Sequence, residues 1–315
     1  ARFDEQNNID WSKQLEKAGC TVIYGFDDYK VHSKLTLITR KKGPKYSYIT
    51  QIGTGNYNEK TSEQYTDLSF ITSNSSIGEE AAAVFNNLAV ERLTPTTNDL
   101  LVAPLCFKSV LLKEMEQEIE AARCGRPARI VLKNNSVSDR EIIEKLSEAS
   151  CAGVHIDMIV RGICCVRAGV PGATENLHVR SIVGRYLEHS RIYSFGEGED
   201  VRMYIASGDF LTRNTERRVE VGVRIHDPAL VKRLMGVLQM QLDDNVNARE
   251  MKPDGSYARV KPKEGERRID SQMMMYNYFA NNWQVTAPAA AARRRASAAP
   301  KQGFLARLLG AFGKG

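Results

Sequence analysis

His32 and Lys34 stand two residues apart in the apolar stretch Val31-His32-Ser33-Lys34-Leu35-Thr36-Leu37. On a β-strand, where side chains alternate, both would leave the same face. Soon after comes Ile52-Gly53-Thr54-Gly55-Asn56-Tyr57-Asn58, a glycine turn carrying hydroxyl and amide groups. Its glycines allow close backbone approach, so Thr54, Asn56 and Asn58 are candidate hydrogen-bond donors to an anion. A neutral imidazole is a nucleophile near neutral pH because its ordinary pKa is about 6.5. A fixed cation beside it suits phosphate oxygens, since phosphoryl transfer rests mostly on positioning and charge.

The pattern recurs. His189-Ser190-Arg191-Ile192-Tyr193 is followed by Ile205-Ala206-Ser207-Gly208-Asp209-Phe210. Aligning Thr54 with Ser207 carries Thr61 onto Asn214, Asp67 onto Glu220 and Leu68 onto Val221. A lone histidine in an apolar strand is ordinarily structural, and a lone glycine turn is only a turn. The same order in two halves points instead to a duplication that brings two imidazoles to one phosphate. One would attack and the other would serve a leaving oxygen as acid or base. Arg191 would then do for His189 what Lys34 does for His32. His155, His178 and His226 lack this setting and read as structural or surface residues. Arg161 ends a strand with Asp157 as its only local carboxylate, Tyr65 follows the first turn, and Lys133-Asn134-Asn135 would either touch phosphate or lie in a solvated loop.

The elements that must position these groups read as α/β. Helices are expected over 7–18, 77–88, 108–123, 139–149, 228–242 and 271–279. Strands are expected over 21–24, 30–39, 46–52, 66–72, 129–133, 154–161, 179–183, 192–195 and 201–205. Asp139 or Ser138 would cap the fourth helix. Glu114, Glu116, Glu118 and Glu120 read as the polar surface of the third, behind an apolar stripe of Val110, Leu111, Met115 and Ile119. The proline-bearing segment 93–98 is the expected domain boundary. The alternation predicts sheets covered by helices.

The 315 residues are 42% hydrophobic and 26% charged, a globular profile with room for two cores. No apolar run approaches the roughly 20 residues of a membrane span. Residues 286–315 hold six Lys or Arg and no acid, and the remaining chain balances at 38 of each sign. The body therefore has no global bias towards nucleic acid, and an anion site must be local. The Ala/Arg-rich tail reads as a disordered linker ending in an apolar patch, 304–312, suited to weak peripheral contact with a membrane or partner. Six cysteines without a Cys-x-x-Cys pair suit neither a zinc site nor a disulfide scaffold, and reduced thiols suit a cytoplasmic protein. The opening Ala1-Arg2-Phe3-Asp4 resembles no leader, and the chain reads as a fragment. P-loop and protein-kinase motifs are absent.

Arg2-Phe3-Asp4-Glu5-Gln6-Asn7-Asn8, Val31-His32-Ser33-Lys34, Gly53-Thr54-Gly55-Asn56-Tyr57-Asn58, Tyr65-Thr66-Asp67, Arg161-Gly162-Ile163-Cys164-Cys165 and Ser181-Ile182-Val183-Gly184-Arg185-Tyr186-Leu187-Glu188-His189 resemble the C-terminal half of bacterial polyphosphate kinases of the first type. The resemblance runs from residue 1 to about 284. It implies two tandem phospholipase-D-like domains, 1–97 (truncated at its start) and 98–285, with 286–315 outside the pattern. It implies reversible transfer of the ATP terminal phosphate to polyphosphate, with His32 as the phosphohistidine nucleophile and His189 as acid or base and nucleotide contact. Tyr65 and Arg161 fall on ATP-binding positions. Arg2 falls on a magnesium-phosphate position, where a guanidinium is a phosphate neighbour rather than a metal ligand. ATP, ADP, polyphosphate and Mg2+ are the implied ligands, and a homo-oligomer is implied for the full-length protein. The family's helical and head-like N-terminal domains have no counterpart here, so the chain alone is expected to fold but to be weakly active or inactive. Two other readings fit the paired histidines: a phospholipase-D-type phosphodiesterase that releases product to water, and a non-catalytic polyanion-binding module.

Overall fold

The computed structural model describes residues 5–282, without the side chains of residues 5 and 42. The first repeat opens with helix α1 (Glu5–Lys17). Segment 21–24, expected as a strand, is irregular: its β-branched residues find no neighbouring strand to pair with. The expected strand over 30–39 is two strands, β1 (Lys30–Val31) and β2 (Leu35–Lys42), separated at the histidine and lysine. A turn at Gly43, in the left-handed region at φ 63°, leads to β3 (Lys45–Gly53). Then come α2 (Glu59–Ser62), β4 (Tyr65–Thr66) and β5 (Ser69–Thr72), the last two replacing one expected strand. Helix α3 (Ser75–Ala89) is capped by the Asn74 side chain, which accepts from the backbone N–H groups of Ser76 and Ile77.

The second repeat begins with β6 (Leu100–Val102) and α4 (Phe107–Arg123). Strand β7 (Arg129–Asn134), helix α5 (Arg140–Cys151) and strand β8 (His155–Val160) follow, with Asp139 capping α5 through the Ile142 N–H. Next are β9 (Leu177–Ile182), β10 (Leu187–Glu188), β11 (Arg191–Phe195), β12 (Arg202–Ala206), α6 (Thr212–Glu216), β13 (Arg218–Val219) and β14 (Val221–Ile225). Helix α7 (Pro228–Leu242), strands β15 (Ala248–Met251) and β16 (Tyr257–Arg259), and helix α8 (Ser271–Asn282) close the described chain.

Nine strands form a mixed sheet in the order β16-β15-β9-β8-β7-β11-β12-β14-β6, parallel only across β7, β8 and β9. Strands β2, β3 and β5 form a separate antiparallel sheet. Its order matches β11, β12 and β14, the corresponding strands of the second repeat. Helices α4 and α5 bury Phe107, Leu111, Met115, Ile142 and Leu146 with Tyr193 and Phe195 of the large sheet. On its other side, Ile52, Ile77 and Ala81 of the first repeat share a core with Ile192, Ile205 and Val221 of the second. The described residues up to Ser271 thus form one compact α/β unit. Among the described residues no helix is long and apolar enough to cross a membrane.

Two ladders tie the repeats together by exchange. Strand β1 pairs in parallel with β13, and β10 pairs in parallel with β4. The short strand that leads into each histidine therefore lies on a strand of the other repeat.

The glutamates of α4 correct the surface reading. Glu114 and Glu118, one turn apart, are buried. Arg202 bonds both, 2.7 Å from Glu118, and the Tyr204 hydroxyl donates to Glu114 at 2.7 Å. The cation that makes their burial tolerable comes from β12, far along the chain.

Candidate active site

The strand break at His32 is where the chain changes partner. The His32 N–H still donates to Val219 O on β13, at 2.9 Å, whereas Lys34 O already accepts from Gly53 N of β3. The second repeat does the same: Ser190 N donates to Thr66 O on β4 at 2.8 Å before Arg191 enters β11. Each imidazole is thereby delivered beside a carboxylate of the other half. His32 Nδ1 lies 2.9 Å from both oxygens of Glu220, and His189 Nδ1 lies 2.8 Å from Asp67 Oδ1.

The support around each carboxylate is also repeated. Thr54 donates to Asp67 at 2.7 Å, and its counterpart Ser207 donates to Glu220 at 2.6 Å. Asn214 Nδ2 adds a further bond to Glu220. A carboxylate at Nδ1 fixes the tautomer, with the proton on Nδ1 and a lone pair on Nε2. At that second nitrogen stands a cation: Lys34 Nζ is 2.9 Å from His32 Nε2, and Arg191 Nη1 is 3.3 Å from His189 Nε2.

Burial pulls the His32 imidazole below its ordinary value, against the opposing effect of Glu220. Burial likewise lowers His189 against Asp67. Burial also lowers the Lys34 ammonium, to about 8. It would raise Glu220, but the bond and charge of His32, the Ser207 hydroxyl and the Lys34 charge outweigh it and hold the carboxylate at about 2. At neutral pH the site thus holds neutral imidazoles, ionised Glu220 and a cation at each Nε2. Among the described atoms the buried Arg191 Nε has no hydrogen-bond partner. Lys34 feels the charges of Arg191 and Asp67, which ties the two clusters electrostatically.

The other sequence candidates divide. The Tyr65 ring lies 4.9 Å from that of His189, tilted by 46°. Arg161 Nε donates to Asn135 Oδ1 at 2.9 Å, while Asp157, its only local carboxylate in the sequence, pairs with Arg129 and His155. Asn56 is exposed, and its carboxamide makes no hydrogen bond among the described residues. Thr54 is buried and donates to Asp67 rather than to a ligand, and the Asn58 side chain caps α2 through Thr61 N. Lys133 is neither a phosphate contact nor part of a solvated loop. It is 1% exposed, 3.1 Å from Glu188 and bonded to Ser190. Arg2 and the tail from 286 lie outside the described residues. Sequence reading missed Asp67 and Glu220 as imidazole partners, although the repeat alignment had set them at equivalent positions.

Comparison with known proteins follows this division into repeats. Residues 1–93 match the family model described as polyphosphate kinase C-terminal domain 1, and residues 100–272 match C-terminal domain 2. The chain belongs to the polyphosphate kinase family. It is 43% identical over 282 residues to a polyphosphate kinase of Bacillus anthracis, covering 90% of this chain and 40% of that one. With the Staphylococcus saprophyticus polyphosphate kinase it shares 46% over 257 residues, covering 82% and 36%. The crystal structure of polyphosphate kinase from Porphyromonas gingivalis superposes with a TM-score of 0.82 at 31% identity, over 89% of this chain and 43% of that one. The chain therefore spans about two fifths of the length of these polyphosphate kinases.

Magnesium is implied by the family resemblance. Among the described residues no group of three or more His, Cys, Asp or Glu is placed to hold a metal ion, and Asp67 and Glu220 are engaged by imidazoles.

The turn at Gly55 yields a prediction for this family member. A Cβ there would overlap the Asp67 carboxylate. Gly55→Ala is expected to push Asp67 off His189 and to cost about 1–3 kcal/mol of stability. The shift of the urea midpoint, together with the His189 proton resonances, measures both effects. An unchanged midpoint and spectrum would mean that the turn yields freely.

Proposed function

We propose that this chain carries the phosphotransfer centre of an ATP–polyphosphate phosphotransferase, with the repeats 1–97 and 98–285 as two catalytic domains sharing one site. The observation that carries this reading is the pair of crossed carboxylate–imidazole couples, each with a cation at Nε2. His32 Nε2 attacks the terminal phosphorus of ATP. An N–P bond forms, the bridging O–P bond breaks, and ADP leaves with the bridging oxygen. A terminal oxygen of polyphosphate then attacks the same phosphorus, and the N–P bond breaks. Each step reverses.

His32 is favoured over His189 as nucleophile because its side chain is 24% exposed against 9%, and because Lys34 stands closest to its attacking nitrogen. Glu220 holds the Nδ1 proton and balances charge as the imidazole is phosphorylated. Lys34 and Arg191 draw the non-bridging oxygens into place. Burial keeps free His189 neutral, and the arriving phosphates would raise its affinity for a proton, which it could pass to the leaving oxygen. Tyr65 and Arg161 are assigned to the nucleotide. Magnesium would neutralise phosphate charge and is assigned to the ATP phosphates. The six free cysteines support a cytoplasmic location.

The deciding experiment incubates the full-length protein with γ-labelled ATP and magnesium. An acid-labile, base-stable label on the peptide containing His32 is expected. Label on another peptide would reassign the nucleophile, and hydrolysis of a phosphodiester without ATP would favour the phosphodiesterase reading.

The pH profile provides a second check. Protonation removes the His32 lone pair, and its pKa is depressed, so kcat/KM for ATP should stay level as pH falls past 6.5 and decline only below it. Lys34 loses its charge near pH 8, so an alkaline decline should begin there. An acid limb above pH 6.5 would contradict this assignment of charge.

A further inference from the structure

The two repeats carry the same machinery at their histidines but different residues at the entrances to them. Beside His189, the β4–β10 ladder pairs Tyr65 with Leu187, and Gln64, Tyr65, Arg161 and Leu187 help line a cavity of about 590 Å³. The repeat alignment carries Gln64 onto Arg217, Tyr65 onto Arg218 and Leu187 onto Lys30. At that equivalent place beside His32, the β1–β13 ladder pairs Lys30 with Arg218. A polar, an aromatic and an aliphatic side chain are thus replaced by three cations.

These cations have little to hold them within the protein. Lys30 and Arg217 are exposed, and neither has an ion-pair partner among the described residues. Arg218 is part-buried, and its guanidinium makes no hydrogen bond among them. Its nearest carboxylate, Glu220, is 3.8 Å away and already accepts from His32, Ser207 and Asn214. The donors of Arg218 are therefore uncommitted, and the Arg218 charge is felt at both His32 and Lys34.

A nucleotide needs a surface for its base and sugar as well as cations for its phosphates. Polyphosphate has no base or sugar and presents only anionic oxygens, which guanidinium and ammonium groups recognise. We propose that Lys30, Arg217 and Arg218 form the lip over which the polyphosphate chain runs to His32, while the nucleotide enters beside Tyr65. This rests on the phosphotransfer reading and adds a direction to it: the polymer lies along the β1–β13 ladder and the nucleotide along β4–β10.

The test compares the full-length wild type with the triple variant Lys30→Gln/Arg217→Gln/Arg218→Gln in the ATP-forming direction, and titrates fluorescent polyphosphate by anisotropy at several salt concentrations. The triple variant should raise KM for polyphosphate about tenfold or more and flatten the salt dependence of binding by about one unit of slope for each cation removed. KM for ADP should stay within about twofold. Tyr65→Ala should show the opposite split. Arg217→Lys/Arg218→Lys should restore much of the polyphosphate affinity, which a folding defect would not permit. A triple variant that raises KM for ADP as much as that for polyphosphate, or that changes neither, overturns the lip. A wild type that binds polyphosphate through these cations yet never transfers phosphate overturns the phosphotransfer reading and leaves the lip standing.

Discussion

Glu220→Gln is expected to slow labelling of the protein by γ-labelled ATP by about two to four orders of magnitude, with the fold intact. The carboxylate is fully buried and sits 2.9 Å from His32 Nδ1, with Ser207 and Asn214 holding it from behind. An amide of the same shape can present its N–H₂ to the imidazole, which turns the lone pair onto Nδ1 and leaves the proton on Nε2, the wrong nitrogen for attack. It also removes the charge that offsets the phosphorylated ring. His32→Ala should abolish the label altogether. Asp67→Asn makes the same change at His189 and should act differently, sparing labelling from ATP more than the transfer that depends on His189. Rapid-quench labelling with subsequent chase into polyphosphate separates these steps. Equal loss of labelling in the Glu220 and Asp67 variants would refute the division of labour between the histidines.

Lys133→Met is expected to be among the most destabilising single changes in the chain, by about 3–5 kcal/mol. The ammonium and the Glu188 carboxylate are both buried, 3.1 Å apart. Lys133 also donates to the backbone and hydroxyl oxygens of Ser190, and Glu188 accepts from Thr66 and Gln241. Burial depresses the lysine's pKa, yet removing its charge would strand Glu188 in a dry interior. The double variant Lys133→Met/Glu188→Gln should recover a good part of the loss, because no lone charge remains. Equilibrium unfolding in urea measures both, and a single variant within 1 kcal/mol of wild type would show that water reaches the pair. Glu188 and Ser190 flank His189, so the same cluster also fixes that imidazole's backbone.

Sequence alone carried the α/β class, most helices and the two histidine clusters, because periodicity and repetition are local signals. It missed the break in the strand at His32. Val31 and the segment 35–37 favour extended backbone on either side of His32, and only the exchange between β1 and β2 shows that the chain leaves one ladder for another. The same exchange hid the carboxylates. The alignment placed Asp67 and Glu220 at equivalent positions, but nothing near either reveals that it serves the other repeat's histidine. Glu114 and Glu118 failed for a related reason: four charged residues on a helix look solvated until Arg202 arrives from a remote strand. The buried Thr54 hydroxyl, read in sequence as a donor to an anion, has a nearer acceptor in Asp67.

The crossed ladders also constrain how such a chain could have arisen. A single ancestral repeat would have carried a histidine with no carboxylate to orient it and a carboxylate with no histidine. Two identical copies meeting about a twofold axis would have completed both couples at once. On that view association came before fusion, and joining the copies into one chain preserved a contact on which both couples already depended. Fusion then released the two entrances from identity, so that one could become aromatic and the other cationic without disturbing the couples between them.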